Sequence, residues 1–278
     1  MAVVERKVVQ NSHGVYEVDR HKDGKREQVT DLVAEEVPVA MVYNGLSHAV
    51  MMATPQDLED FGIGFSLSEG ILRGTEELYD IQVVPQAEGI EVRMAIAVER
   101  FGLLKQWRRN LTGRSGCGLC GVESLQHAVR HPGPVRSEVR VSGAGLTQAF
   151  TSLSALQRLN SVTGAVHAAG WALSDGTVRR VREDVGRHNA LDKLIGRLAC
   201  EGADLEQGVA LITSRASYEM VQKAATVGIP VLAAVSAPTG LAVRLAKESG
   251  VTLMAFVRHQ NYVIYAHPQR VLALQGAC

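Results

Sequence analysis

The chain has 278 residues, 46% hydrophobic and 21% charged, with 29 Lys plus Arg against 29 Asp plus Glu. A formal net charge of zero excludes the overall electrostatic signature of an obligatory nucleic-acid or anionic-membrane binder, so any anion binding has to rest on local basic patches. The opening "MAVVERKVVQ" lacks the apolar core of a secretory signal, and the most apolar run, "IPVLAAVSAPTGLAV", is interrupted by proline, glycine and serine before it could span a bilayer; a cytoplasmic location with reduced thiols is expected.

In chain order, residues 1–30 are charged and poor in patterned apolar positions, which predicts a flexible N-terminal segment. An N-terminal α+β domain is expected over 31–150. In "EEVPVAMVYNG", Val37, Val39 and Met41 alternate with Pro38, Ala40 and Val42 as in a strand, and Asn44-Gly45 predicts a hairpin turn into "LSHAVMMA". A helix is expected from Thr54 as cap and Pro55 at the first helical position, since Leu58, Phe61 and Phe65 recur at helical spacing. "IQVVP" and "IEVRMAIAV" read as strands, and "FGLLKQWRRNLTGRSG" as a basic helix leading into a glycine-rich loop.

Beyond a soft boundary near residue 150 the pattern changes. "HAAGWALSDGTVRRV" predicts strand, turn and strand, followed by the helix "EDVGRHNALDKLIGRLAC". "GVALITS", "IPVLAAVSA" and "VTLMAFV" are apolar strands alternating with helices that stop at Gly228 and Gly250. The fold class expected is therefore α/β, with a mostly parallel sheet covered on both faces over 151–278. Ligands of such sheets collect at the carboxyl ends of the strands. Those ends carry Ser214, Arg215 and Ser217, then Ser236 and Thr239, then Arg258, an inventory suited to a phosphate-bearing ligand. Each of these residues taken singly is better explained as a helix cap or a surface charge, and the case for a ligand rests on three such loops meeting at one edge. Arg187 and His188, at the mouth of the "EDVGRHNALDKL" helix, are less readily explained as structural; His188 and His167 are each read as structural histidines.

The loop "GRSGCGLCGVESL", residues 113–125, holds Cys117 and Cys120 among Gly116, Gly118 and Gly121. A zinc site wants four ligands, and His127 and His131 lie closer to the cysteine pair than the usual finger spacing. A thioredoxin-type couple sits between a strand and a helix near the chain start, and this pair is mid-chain. A sulfur relay fits better: a persulfide received in one place has to be handed on in another, and flanking glycines give the loop that freedom. Arg108, Arg109 and Arg114 would favour the nucleophilic thiolate.

"EEVPVAMVYNG", "GFSLSEGI", "GRSGCGLCGVESL", "HAAGW", "EDVGRHNALDKLIGR", "SRASYEMVQKAA" and "AHPQR", in this order between residues 31 and 270, resemble the FdhD family of formate dehydrogenase accessory proteins. The resemblance implies a sulfurtransferase that takes sulfur from a cysteine desulfurase and sulfurates a bis-guanine-dinucleotide molybdenum or tungsten cofactor (Mo-bis-molybdopterin guanine dinucleotide) before it enters formate dehydrogenase. It implies a cytoplasmic homodimer whose C-terminal part is cytidine-deaminase-like. Cys117 would carry the persulfide and Cys120 assist. The family's cofactor segment falls on Phe256, Val257, Arg258, His259, Gln260 and Asn261, with GDP or GMP as mimics of the cofactor. The deaminase zinc signature is missing: Gly116 stands where its proline would be, and there is no matching H-x-E. The rival expectation is a binding module that escorts the cofactor without carrying sulfur.

Overall fold

The computed structural model describes residues 11–111, 131–258 and 261–272. The cysteine loop, with Arg114, Cys117 and Cys120, lies outside the described residues, as do His259 and Gln260.

Strands β1 (His13–Lys22) and β2 (Lys25–Ala34) form a two-stranded antiparallel sheet. This corrects the expectation of a flexible segment over residues 13–30. Asp23 and Gly24 both adopt left-handed backbone, at φ 50 and 75, which is the two-residue turn that matches strand twist. Most side chains of the hairpin are exposed, so apolar patterning is weak and the turn is its clearest local signal.

The expected hairpin of β3 (Val37–Tyr43) and β4 (Leu46–Ala53) is present, with Asn44 at φ 46 and Gly45 at φ 82. Strands β5 (Leu78–Gln86) and β6 (Gly89–Ile96) join it in a sheet of order β4-β3-β6-β5, in which β3 and β6 are parallel. Helix α1 (Leu58–Ser68) covers this sheet and closes a core of Val39, Met41, Tyr43, Phe61, Val92 and Leu104, the last from α2 (Val98–Leu111). Burying one such large apolar side chain stabilises by about 1.5–3 kcal/mol. The helix starts at Leu58, later than Thr54 and Pro55 predict, because Thr54 is fully buried and its polar groups are engaged elsewhere. Its N–H donates to Asp184 Oδ2 at 3.0 Å, its hydroxyl accepts from Val185 N–H at 3.1 Å and its carbonyl accepts from Lys193 Nζ at 2.9 Å.

The second half holds α3 (Gly143–Leu156), α4 (Arg158–Thr163), α5 (Arg187–Cys200), α6 (Tyr218–Thr226) and α7 (Gly240–Ser249). They pack on six strands: β8 (His167–Leu173), β9 (Val178–Asp184), β10 (Gly208–Ile212), β11 (Val231–Ala234), β12 (Thr252–Arg258) and β13 (Asn261–Ala266). The short strands β7 (Val141–Ser142) and β14 (Val271–Leu272) pair separately. The order is β13-β12-β11-β10-β8-β9, and only β10–β11 and β11–β12 are parallel. The mostly parallel expectation is corrected to a mixed sheet. The two-residue link from β12 to β13 and the Asp175-Gly176 turn from β8 to β9 are too short for crossovers and force antiparallel pairing.

Helix α1 crosses α5 at glycines. A Cβ on Gly64 would collide with the backbone at Asp192, and one on Gly196 with the backbone at Asp60. Around this crossing two ionic clusters are buried. Lys193 Nζ lies 2.6 Å from Asp184 Oδ2, both side chains fully buried. Lys223 Nζ lies 3.0 Å from Asp192 Oδ2 and 2.8 Å from Glu69 Oε1, with Ser68 donating to Asp192 Oδ1 at 2.6 Å. Burial pulls the Lys193 pKa down despite Asp184 and pushes the Asp192 carboxyl up despite Lys223. Arg270, from "AHPQR", is buried and donates to the carbonyls of Gly250 at 2.7 Å and Ser137 at 3.1 Å.

Candidate functional site

The six-stranded sheet delivers the chemistry-bearing residues to one edge. β10, β11 and β12 run parallel and end there. β13 is antiparallel to β12, so Asn261 pairs with Arg258 at the same edge. β8 is antiparallel to β10, so His167 begins there, and it pairs with Asp184 at the end of β9. Helices α5, α6 and α7 follow β9, β10 and β11 and open their N-termini on this edge, where unpaired N–H groups and the helix dipole favour an anion.

The loops after β10 and β11 are tied together: Ala216 N–H donates to the Ala237 carbonyl at 3.2 Å and Thr239 N–H to the Ala216 carbonyl at 3.0 Å. This brings Ser214, Arg215, Ser236 and Thr239 to one rim, as expected. Their states differ. Ser214 is buried and donates to the Arg215 carbonyl at 3.0 Å, and Thr239 caps α7 by accepting from Ala242 N–H at 3.3 Å. Arg215 and Arg258 are exposed. In the cofactor segment, Phe256 is bulged out of the ladder at φ 56, whereas Val257 is buried in the core beside Met254. Arg258 and Asn261 expose their side chains.

A cluster at the other end of the edge exceeds what the sequence singled out. His188 Nε2 is 2.7 Å from Glu219 Oε2, joining the first turns of α5 and α6. That hydrogen bond, outweighing burial, holds the Glu219 carboxyl below its ordinary range. Burial, then Arg187 and His188, pull His167 below the ordinary histidine value, so its ring is neutral at neutral pH. Arg187 Nε and Ser217 Oγ are sealed from solvent and have no hydrogen-bond partner among the described residues. A buried polar group left unpaired costs about 1–3 kcal/mol. Ser217 was expected to cap α6; it occupies the cap position without making the side-chain bond.

The turn that carries Arg187 and His188 is fixed from behind. Asp184 Oδ1 accepts from Gly186 N–H at 2.7 Å and from Asn189 Nδ2 at 2.9 Å, and Asn189 also donates to the Met52 carbonyl at 2.9 Å. The sequence reading missed Asp184, Asn189, Lys193, Asp192 and Lys223 as supports of this edge, because charged and amide side chains on strands and helices ordinarily face solvent. Cys200 sits at the far end of α5, about 20 Å of helix from the edge, and burial pushes its thiol pKa up, which removes it from the site. Among the described residues no group of three His, Cys, Asp or Glu is placed to hold a metal ion. A cleft of about 410 Å³ opens between the N-terminal hairpin, α4 and β9, lined by His13, Asp57, Arg158 and Arg182 among others. It lies four strand spacings, about 19 Å, from the Arg258 end of the edge, so it does not coincide with the cofactor segment.

The fold is that of a mixed α/β protein in which three helix N-termini and two exposed arginines share one sheet edge. Comparison with known proteins makes the class specific. The model of the FdhD/NarQ family matches residues 34–272, and the chain belongs to that family. It is 56% identical over 260 residues to a sulfur carrier protein FdhD of Cupriavidus necator, covering 94% of this chain and 90% of the relative. A sulfur carrier protein FdhD of Xanthomonas oryzae pv. oryzae is 53% identical over 254 residues, covering 91% and 90%. The crystal structure of a candidate formate dehydrogenase accessory protein from Desulfotalea psychrophila superposes with a TM-score of 0.74 at 26% identity, covering 94% of this chain and all of that one. Among the described residues no helix is long and apolar enough to cross a membrane.

Proposed function

We propose that this protein is a cytoplasmic sulfur carrier, a sulfurtransferase that serves formate dehydrogenase. Cys117 accepts sulfane sulfur from a cysteine desulfurase as a persulfide. It passes that sulfur to the metal centre of a bis-guanine-dinucleotide molybdenum cofactor, which is cargo rather than a resident group. Cys120 assists: its thiolate attacks Cys117 Sγ of the persulfide, forming a Cys117–Cys120 disulfide and releasing hydrosulfide. The cofactor's guanine-nucleotide arms sit at the carboxyl edge, where Arg258, Asn261 and Phe256 together with Arg215, Ser236 and Thr239 would hold phosphate and base. The C-terminal half is taken as cytidine-deaminase-like and the working form as a homodimer.

The observation that carries this reading is the convergence of three helix N-termini and two exposed arginines on one sheet edge, in a chain whose relatives are named sulfur carriers. The test is intact-protein mass spectrometry after incubation with a cysteine desulfurase and cysteine. Wild type and Cys120→Ala should gain sulfur-sized mass and Cys117→Ala should not. Formate dehydrogenase activation that survives intact in Cys117→Ala would sink the relay and leave the escort role.

A further inference from the structure

The motif "AHPQR" has no part in the relay described above, yet its arginine is buried, at 7% exposure. Among the described residues Arg270 makes no ion pair; its guanidinium donates to main chain instead. Nη1 reaches the Gly250 carbonyl at 2.7 Å, Nε the Ser137 carbonyl at 3.1 Å and Nη2 the Val135 carbonyl at 3.5 Å, with the Thr252 hydroxyl 3.3 Å from Nη1. A guanidinium is costly to bury without a carboxylate, and its planar fork suits the gathering of carbonyls from separate stretches of chain.

What the fork gathers is residues 131–139, the first described stretch after the cysteine loop. That stretch forms no helix or strand, yet it is fixed along its length. His131 Nδ1 lies 2.7 Å from Glu248 Oε1, and Val135 N–H donates to the Ser249 carbonyl at 2.8 Å. The Ser137 hydroxyl donates to the Glu206 carbonyl at 2.7 Å and accepts from Val139 N–H at 3.1 Å. Val135 and Val139 are buried in two different core clusters. Gly250, at φ 74, lies so close that a Cβ on it would come within 2.9 Å of the Val135 carbonyl oxygen. Glu248 and Ser249 end α7, which runs about 15 Å from its N-terminus at the carboxyl edge.

The placement of this stretch bears on one step of the relay more than on the other. Loading is bimolecular, and a desulfurase can approach the cysteines wherever they are held. Hand-over is internal to the carrier, and a group borne on connecting chain meets a site of its own protein at a concentration set by the length of that chain and the points that fix it. We infer that Arg270 is a positioning residue of sulfur hand-over, whose fork fixes the root of the cysteine loop at Val135 and Ser137. The inference rests on the relay reading and adds a residue which that reading leaves out.

The experiment compares wild type with Arg270→Gln, Arg270→Lys and Ser137→Ala. Lysine keeps the cation without the fork, and Ser137→Ala loosens the same stretch without touching the buried charge. Three quantities are followed on the full chain: tryptic cleavage after Arg136, which is exposed within the stretch; persulfide loading by a cysteine desulfurase, read by intact mass; and formate dehydrogenase activation per persulfide loaded. Cleavage should quicken about fivefold or more in each variant, the worth of one net hydrogen bond. Loading should match wild type. Activation per persulfide should fall about twofold or more, because releasing the stretch moves the first described fixed point after the cysteines from His131 to Val139. Should Arg270→Gln unfold at the assay temperature, Arg270→Lys and Ser137→Ala decide.

Faster cleavage with unchanged activation per persulfide would make Arg270 structural only and overturn the inference. Unchanged cleavage in the Arg270 variants overturns the clasp itself. Loading that falls in step with activation overturns the assignment to hand-over. A wild type that takes up no sulfur sinks the relay reading, and the inference with it, whatever the cleavage rates.

Discussion

Two polar assemblies lie within a few residues of each other and are built on opposite terms. In the Asp184, Asn189, Lys193 and Thr54 cluster, the partners of the buried charges are carbonyls, amides and one another, at 2.6 to 3.1 Å. In the Arg187 and Ser217 cluster, one helical turn away, sealed donors have no partner among the described residues. The satisfied assembly secures the crossing of α1 and α5, and the unsatisfied one lies at the carboxyl edge of the six-stranded sheet. Satisfaction, more than residue type, therefore separates the two, since both assemblies contain charged and hydroxyl side chains.

The contrast is broken most forcefully from the scaffold side. Lys193→Ala strands Asp184 in the core, and removing one partner of a buried pair costs about 3–5 kcal/mol. A urea midpoint within experimental error of wild type would show that the cluster is not structural. From the site side, Arg258→Gln should weaken GDP binding by about 1–3 kcal/mol while leaving the urea midpoint in place, because the side chain is exposed and the loss is confined to a charge-assisted contact. GDP affinity that does not move removes Arg258 from the site. The smallest effect concerns pH. The folded state holds His167 below its ordinary value of 6.5, through burial first and then Arg187 and His188. Below that value the unfolded chain takes up a proton that the folded chain refuses, so this contribution to stability is complete above pH 6.5 and lost as pH falls. His167→Gln should narrow the difference in urea midpoint between roughly pH 7.5 and 5.5; a difference as wide as in wild type would contradict the assigned cause.

Much of this organisation is written locally. Asn44-Gly45 marks its hairpin, Gly228 and Gly250 end their helices, and the loops after β10, β11 and β12 carry serine, threonine and arginine to one sheet edge. The Asp23-Gly24 turn carried the same signal as Asn44-Gly45, but flanking charges masked it, because that hairpin exposes most of its side chains. Strand direction was misjudged because apolar runs report burial and say nothing of polarity; the tight links at β8–β9 and β12–β13 held the answer. The buried ionic junction was illegible for another reason. Leu191, Leu194, Ile195 and Leu198 give α5 one apolar face, and Asp192 and Lys193 look like its solvated back. Gly196 in the same helix and Gly64 in α1 were the available hint, since glycine inside a helix is costly unless another backbone comes close. Arg187 and His188 drew notice from sequence as a pair, but only the structure gives them Glu219 and Ser217 as neighbours.

The clasp between Thr54 and Asp184 joins residues 130 positions apart, and Lys223 reaches Ser68 across 155. A ribosome adding about 5–20 residues per second needs roughly 7–26 s to travel the first of those intervals. For that time α1 is made but its partner helix is not, and its glycine face and Ser68 are left without the backbone and charges that complete them. The first half of the nascent chain therefore carries an unfinished surface through most of its own synthesis, and productive folding depends on that surface staying unengaged until α5 and α6 emerge.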